Sequence, residues 1–268
     1  MADVAVLEER IVTTIVSIAI LAAVFVPLER LFPARPGQRI FRSGIGTDGL
    51  FFVGQYLVWS GLAIALLTAF HHLVRSHFAR PSALVGLPTW LLCIIVVIAG
   101  DLVVYWFHRA CHAWTPLWKI HAVHHSAEHL DFLAAHREHP LDGLGTQFCQ
   151  NLPAIVLGVP MGLLAGLAVF RGMWGVFIHS NVRLPLGPLR LLFGAPELHH
   201  WHHASVPRTQ HNFANLAPWL DVLFGTYHRP EGQETYRLGL EEAWPQGYFV
   251  QLIRPFFDPK AIRLPRSD

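Results

Sequence analysis

The sequence has little charge. Only 14% of its 268 residues are Asp, Glu, Lys or Arg, whereas 53% are hydrophobic, and the mean hydropathy is positive at +0.38. This composition is unusual for a soluble globular domain and ordinary for a membrane protein. The formal net charge is +2, and the basic residues are scattered rather than gathered in one stripe, which argues against nucleic-acid binding. We therefore expect an integral membrane protein.

Cysteine and two common sequence signals are also scarce or missing. The three cysteines are widely spaced and form no CxxC, so neither a disulfide framework nor an iron–sulfur site is indicated. No HExxH motif of the zinc hydrolases occurs. The N-terminus has no basic run and no convincing cleavage site, so we expect its first apolar segment to remain in the protein.

Long apolar stretches predict an all-α, multi-pass membrane fold with about three spans plus a helical hairpin. The spans are predicted at residues 11–27, 50–70 and 87–107. The apolar region 143–178 is too long for one ordinary span and is interrupted by Gly158, Pro160 and Gly162, which predicts the hairpin.

The polar stretches predict a histidine-rich cap at one membrane face, after the third span and again after the hairpin. No internal repeat is present, so we expect a single membrane-embedded domain over 1–268, with N-terminal spans in 1–90, a catalytic region in 91–228 and a C-terminal tail in 229–268. The loop after the first span carries four arginines between positions 30 and 42, which predicts that this loop and the metal site face the cytoplasm.

Histidine spacing gives the strongest indication of function. Thirteen of the 18 histidines lie between positions 108 and 203, and most of them fall in three groups: HRACH at 108–112, HAVHH at 121–125 and HHWHH at 199–203. On a helix, residues three and four apart share one face, so the rings of each group can converge on an ion. These groups supply the candidate ligands His108, His112, His121, His124, His125, His199, His202 and His203.

His139 and His179 are predicted to complete a set of ten ligands. One metal seldom takes more than six, so ten imidazoles predict two metals, and nitrogen ligands suit iron, zinc or copper. Two iron ions are our first choice, because a mononuclear zinc site needs only three or four protein ligands. The groups can meet only if an even number of membrane crossings separates them, which the hairpin between His139 and His179 provides.

Four further residues are expected to support the ligands. Asp101 lies seven residues before His108, so the two share a helical face, and its carboxylate could accept an imidazole N–H; helix packing is the alternative role. His200 is a further candidate, and Asp221 is available to bind an imidazole or an arginine. Asn181 follows His179 closely.

As an ordered set, the motifs resemble the fatty acid hydroxylase or sterol desaturase superfamily of integral-membrane diiron enzymes. The resemblance covers about residues 96–227 and adds RxHP at 137–140, HSN at 179–181 and WxDxxFGT at 219–226 to the three histidine groups. It implies an oxo-diiron centre that faces the cytoplasm and uses O2. It also implies an external electron donor, here a separate ferredoxin, cytochrome or reductase because no haem domain is fused to the chain.

The resulting hypothesis is hydroxylation of an unactivated C–H bond in a lipid that enters from the bilayer, such as a fatty acyl chain or a sterol. Desaturation at the same site, metal transport and zinc-dependent hydrolysis are the alternatives. Five aromatic residues are predicted to line the substrate tunnel, although an interfacial aromatic belt explains them equally well. They are Trp106, Phe107, Trp114, Trp118 and Phe132.

Overall fold

A computed structural model describes residues 2–78, 84, 86–206, 210–257 and 264. Within these ranges the secondary structure is helical, and β-pairing is limited to two isolated bridges, Pro33 with Val182 and Ala204 with Leu238. The all-α prediction is therefore confirmed.

Four helical stretches in the described part of the chain are long and apolar enough to cross a membrane: Ala5–Leu31, Ile45–His77, Thr89–Ala113 and Met161–His179. At most a third of the most apolar window in each stretch is buried inside the protein, which leaves apolar side chains outside to contact lipid. Each stretch exceeds the roughly 17 residues that the thinnest spans require.

These stretches correspond to five of the helices. Helix α1 is Ala2–Leu31, and α4 and α7 are Thr89–Ala113 and Met161–His179. The second stretch joins α2 (Ile45–Gly54) to α3 (Ser60–His77) through one π-helical turn. All three predicted N-terminal spans are present and are longer than the sequence indicated.

The predicted hairpin is formed by α6 (Pro140–Val156) and α7. The chain reverses between them at Gly158, whose φ of 71° lies in the left-handed region that glycine adopts without a steric penalty. Helix α6 is shorter and more polar than the four candidate spans. It packs on α4 through a core that includes Val96, Ala154 and Ile155.

Arg171 ties the two arms of the hairpin to α4. Its guanidinium donates hydrogen bonds to the carbonyl oxygens of Val96, Val97 and Gln150. A charged side chain in a spanning helix is tolerated when polar partners inside the protein satisfy it. Gly100 leaves the room for this contact, since a Cβ atom there would collide with the guanidinium.

The remaining helices form the cap, together with two 3-10 turns at Ala134–His136 and Gly187–Leu189. They are α5 (Thr115–His125), α8 (Arg190–Phe193), α9 (Pro196–His202), α10 (Trp219–Leu223) and α11 (Tyr248–Phe257).

Buried ion pairs fix the cap to the start of α2. Arg42 binds Asp131 at 2.6 Å and Asp48 at 2.8 Å, and Arg137 binds Asp48 at 2.5 Å. All four side chains are almost fully buried, so each charge depends on its partners. This network fixes the segment that precedes α6. A backbone carbonyl oxygen of that segment contacts the candidate metal site described below.

Candidate metal centre

Nine buried histidines form two adjacent groups at the cap end of α4 and α7. Within each group the ligand nitrogens lie within 4.8 Å of one another, and the groups touch where the rings of His125 and His203 stack at 4.3 Å. The first group is His108, His112, His121, His125 and His202. The second group is His124, His179, His199 and His203.

Each HxxHH motif contributes to both groups. In α5, His121 and His125 belong to the first group and His124 belongs to the second. The second motif is divided the other way, because His199 and His203 belong to the second group and His202 to the first. Residues four apart on a helix lie on nearly the same line, whereas the residue three along points to the other side of that line. The same spacing therefore serves two neighbouring ions.

Five of the nine rings are held at Nδ1 by oxygen atoms. The partner is a backbone carbonyl for His108, His124, His179 and His202, at 2.7–3.0 Å, and the Asp142 carboxylate for His121, at 2.7 Å. Carbonyl and carboxylate oxygens only accept hydrogen bonds, so Nδ1 must carry the hydrogen in these rings. Nε2 is then left with a free lone pair, as a metal ligand requires.

The Nε2 atoms face one another. His108 and His202 approach at 2.9 Å, and His124 and His179 approach at 3.0 Å. All four rings have their hydrogen on Nδ1, so these contacts join two lone pairs and cannot be hydrogen bonds. A cation between the nitrogens removes the conflict. His112 also supports a bound cation, because neither of its ring nitrogens has a hydrogen-bond partner among the described residues.

The spacing of the nitrogens fits a metal ion. Two nitrogens bound about 2.1 Å from one ion lie about 3.0 Å apart at octahedral right angles, and about 3.4 Å apart at tetrahedral angles. The five closest Nε2 pairs measure 2.9–3.2 Å. The residues present therefore fit metal ions held by imidazole nitrogens.

Burial keeps the cap histidines neutral, the form that binds metal. It lowers the pKa of His124 to about 4, and it lowers the pKa of His125, His199, His202 and His203 well below the ordinary value. Protons therefore compete weakly with a metal at neutral pH.

Comparison with protein families identifies the chain. The model of the family described as fatty acid hydroxylase matches residues 93–226, which is half of the chain and includes all nine histidines. The chain belongs to the fatty acid hydroxylase family. This family member has three cap helices, α8, α9 and α10, within the matched region after the hairpin.

Curated relatives of this fatty acid hydroxylase family member are named as a hydroxylase, a monooxygenase and a decarbonylase. An ornithine lipid hydroxylase of Rhizobium tropici is 32% identical over 61% of the chain and 50% of its own length. An alkylglycerol monooxygenase of Danio rerio is 29% identical over 65% of the chain and 40% of its own length. A very-long-chain aldehyde decarbonylase of Oryza sativa is 28% identical over 52% of the chain and 55% of its own length. The chain spans about half the length of these relatives. No solved structure matches it significantly.

Of the ten predicted ligands, His139 alone lies in neither histidine group of this family member. Its Nδ1 accepts a hydrogen bond from the backbone N–H of Leu141, as the N-cap of α6, and its Nε2 lies 3.1 Å from the carbonyl oxygen of Leu252 in α11. Both ring nitrogens are thus engaged away from the metal groups. We leave His139 out of the proposed ligand set.

The four residues that were expected to support the ligands bind partners other than the imidazoles of the two groups. Asp101 accepts hydrogen bonds from the backbone N–H groups of Leu216 and Ala217, which agrees with its alternative packing role. Asp221 accepts from the N–H groups of Phe213 and Ala214, so it holds the loop whose Phe213 carbonyl binds His108.

Asn181 and His200 also act elsewhere. The Asn181 amide bonds to the backbone of Arg35 in the loop after α1. His200 Nδ1 lies 2.8 Å from Glu234, and His200 belongs to neither group. Their role in supporting the ligands therefore stays a prediction, since the contacts seen for them are with a distant segment of backbone and a distant carboxylate.

Asp142 is the functional residue that the sequence analysis missed. It lies in the first turn of α6 and binds His121 Nδ1. Its position three residues after the N-cap histidine, where acidic residues are favourable, was the available signal.

The predicted tunnel aromatics have other positions. Trp106 and Trp114 are 48% and 60% exposed, whereas Trp118 is buried against the rings of His112 and His125. None of the five predicted residues lines the apolar cavity between α3, α6 and α7. Their aromatic character gave no information about which helix face they occupy.

Proposed function

We propose that this protein is a membrane-bound diiron oxygenase that hydroxylates an unactivated C–H bond of a lipid. One observation carries the proposal: nine buried imidazoles form two touching groups, with lone pairs of Nε2 facing one another at 2.9–3.0 Å in pairs that cannot share a hydrogen. Such groups suit two metal ions side by side. Relatives named as lipid hydroxylases and monooxygenases support the reaction class.

Iron fits the donor set better than zinc does. Imidazole binds both metals, but zinc sites are usually tetrahedral with three or four protein ligands. Here four and five imidazoles surround the two positions, nine in all, whereas two four-ligand zinc sites would use eight. When bound, two iron ions supply the activation of O2 and the transfer of one oxygen atom to carbon.

The chain's own residues orient the ligands and exclude water. Asp142 and the carbonyls of Phe213 and Arg137 fix the hydrogen on Nδ1 of three rings, so that each Nε2 is presented to the metal position. Trp118 and Phe213 pack on the rings of the first group and are both 2% exposed. The side chains around the ligands therefore form a dry pocket, which protects a reactive oxidant from water.

The reaction needs electrons from outside the chain, and we propose a separate ferredoxin, cytochrome or reductase as the donor. The proposed cytoplasmic orientation is supported by contacts of the basic loop after α1. Arg35 donates a hydrogen bond to the Tyr236 carbonyl and Gln38 donates to the Leu130 carbonyl, so this loop and the cap lie on the same side. The positive-inside tendency puts such loops in the cytoplasm.

Lipid mass spectrometry of cells with and without the gene, grown under 18O2, tests the proposal. We expect a lipid that gains one labelled oxygen atom only when the gene is present. A His202→Ala variant should lose this product, whereas His72→Ala, which changes a histidine of α3 outside both groups, should retain it. A product that lacks two hydrogens and carries no label would indicate desaturation. A labelled product formed equally by His202→Ala would overturn the assignment.

A further inference from the structure

A long cavity of about 350 Å3 runs beside α6, between α3 and α7. Its upper end lies at Phe51, Glu138 and His139, on the cap side, and its lower end lies at Ile155 and Met161.

The cavity is as long as an extended lipid chain. Its lining on α6 runs from His139 to Ile155, sixteen residues, or about 24 Å at the rise of an α-helix. Helix α7 gives a similar depth, because Met161 precedes His179 by eighteen residues, or about 27 Å. The hydrocarbon of one leaflet is about 15 Å thick, so the cavity reaches well into the bilayer.

The chemistry of the wall changes along this length. Polar side chains occur in the upper part, where Glu138, Gln55 and Gln147 line the space. Beyond Asn151 the lining of α6 and α7 is apolar and ends at Met161. A wall that is polar at the cap end and apolar within the bilayer matches a single lipid chain with a polar end.

The upper end adjoins the first histidine group. Phe51 shares a core cluster with Trp118, whose ring lies 5.0 Å from that of His112. On the other side, Gly143 lines the cavity one residue after Asp142, which binds His121. The polar end of a bound molecule would therefore lie beside the metal groups, with its chain directed away from them.

Glu138 indicates which polar end fits. Burial, together with the nearby Asp142 carboxylate, raises its pKa well above the ordinary value. Glu138 therefore keeps its proton to a higher pH than an ordinary carboxyl and can donate a hydrogen bond to an ester, amide or ether oxygen.

We propose that this cavity binds one hydrocarbon chain of a lipid, with an acceptor oxygen at Glu138 and the methyl end at Met161, and that Met161 and Ala168 limit the longest chain that fits. The claim that the bound chain is part of the substrate rests on the function proposed above. The claim that the cavity binds a hydrocarbon chain is independent of that function.

Two substitutions in the lower half of the cavity test the proposal in opposite directions. Ala168→Phe obstructs the cavity above its lower end, whereas Met161→Ala enlarges the lower end itself. Val169→Phe is the matched control, because Val169 is the next residue of α7, is 69% exposed and does not line the cavity. The probe is an equimolar series of saturated monoacyl phospholipids of increasing chain length, added to the purified full-length protein and measured by native mass spectrometry.

We expect Ala168→Phe to lower the ratio of longest to shorter bound chains by about tenfold, since overpacking of this size is strongly unfavourable. Met161→Ala should raise the same ratio, and Val169→Phe should leave it within about twofold of the wild type, since surface changes have small effects. If Ala168→Phe does not fold, Met161→Ala alone decides the question. Identical chain distributions in the cavity variants and the wild type, or no bound chain in the wild type, would overturn the proposal.

The measurement does not depend on turnover. A protein that binds chains of the expected length but oxidises no lipid would contradict the proposed function and leave the cavity assignment in place. If the protein oxidises lipid and neither cavity variant changes its chain preference, the cavity assignment would be contradicted and the proposed function would stand.

Discussion

Replacing Asp142 with alanine removes the only side chain seen to hold the Nδ1 atom of His121, at 2.7 Å, among the described residues. Burial acts to raise the pKa of the Asp142 carboxyl, but the contact with His121 helps to bring it below the ordinary value, so the carboxylate is ionised. Without it, the His121 ring can rotate and move its hydrogen to Nε2. Loss of such a contact typically weakens metal binding by about 10–100-fold. This corresponds to about 1.4–2.7 kcal/mol.

Competition with a coloured iron chelator, under anaerobic conditions, measures this loss in the purified protein. Glu138→Gln is the control, because Glu138 is the acidic neighbour of Asp142 but makes no hydrogen bond to any described imidazole. We expect Asp142→Ala to lose at least about tenfold in affinity, and Glu138→Gln to remain within about twofold. Equal affinity of Asp142→Ala and the wild type, or an equal loss in both variants, would refute the role of Asp142.

Three further changes probe other parts of the structure. His139→Ala should retain the full iron content but make α11 more sensitive to proteolysis, because it removes the contact with the Leu252 carbonyl; loss of iron would restore His139 as a ligand. Arg137→Met should lower the free energy of unfolding by about 3 kcal/mol, measured by denaturation in detergent, because it removes one partner of the buried Asp48; an unchanged value would contradict the pairing. The metal-free protein should lose thermal stability as the pH falls from 6.5 to about 4, since the pKa of His124 is lowered to about 4 and the unfolded state takes up the proton first; a constant melting temperature over this range would disagree.

The sequence predicted the histidine groups well because their spacing lies within single helices. Rings at positions i, i+3 and i+4 share a face whatever the rest of the fold does, so the HxxHH motifs were reliable. His139 was not, because its partners are set by the start of α6 and by Leu252, which lies 113 residues away. The division of each HxxHH between two groups also escaped prediction, since it depends on how α5 and α9 approach each other.

Carboxylates were harder to assign than imidazoles. Asp101 shares a helical face with His108, but it binds backbone N–H groups more than 110 residues further along the chain. Asp142 has no helical neighbour among the ligands, yet it contacts His121 because α6 packs beside α5. A carboxylate can accept from many donors, so its partner follows from packing between helices rather than from local spacing.

The spans and the hairpin followed from apolar length, and their errors have a simple cause. Pro27 was predicted to end the first span, but α1 continues to Leu31, so this proline lies within the helix. Gly158 and Pro160 were recognised correctly as the reversal point of the hairpin, because their backbone preferences act locally.

The metal content of anaerobically purified protein tests the central claim most directly. Mass spectrometric metal analysis of the wild type should find two irons per chain and little zinc. His202→Ala and His203→Ala, one from each group, should each lower the iron content, whereas His72→Ala should retain both ions. An active wild type that contains zinc instead of iron, or full iron content in both ligand variants, would contradict the assignment of a paired iron site to these nine histidines.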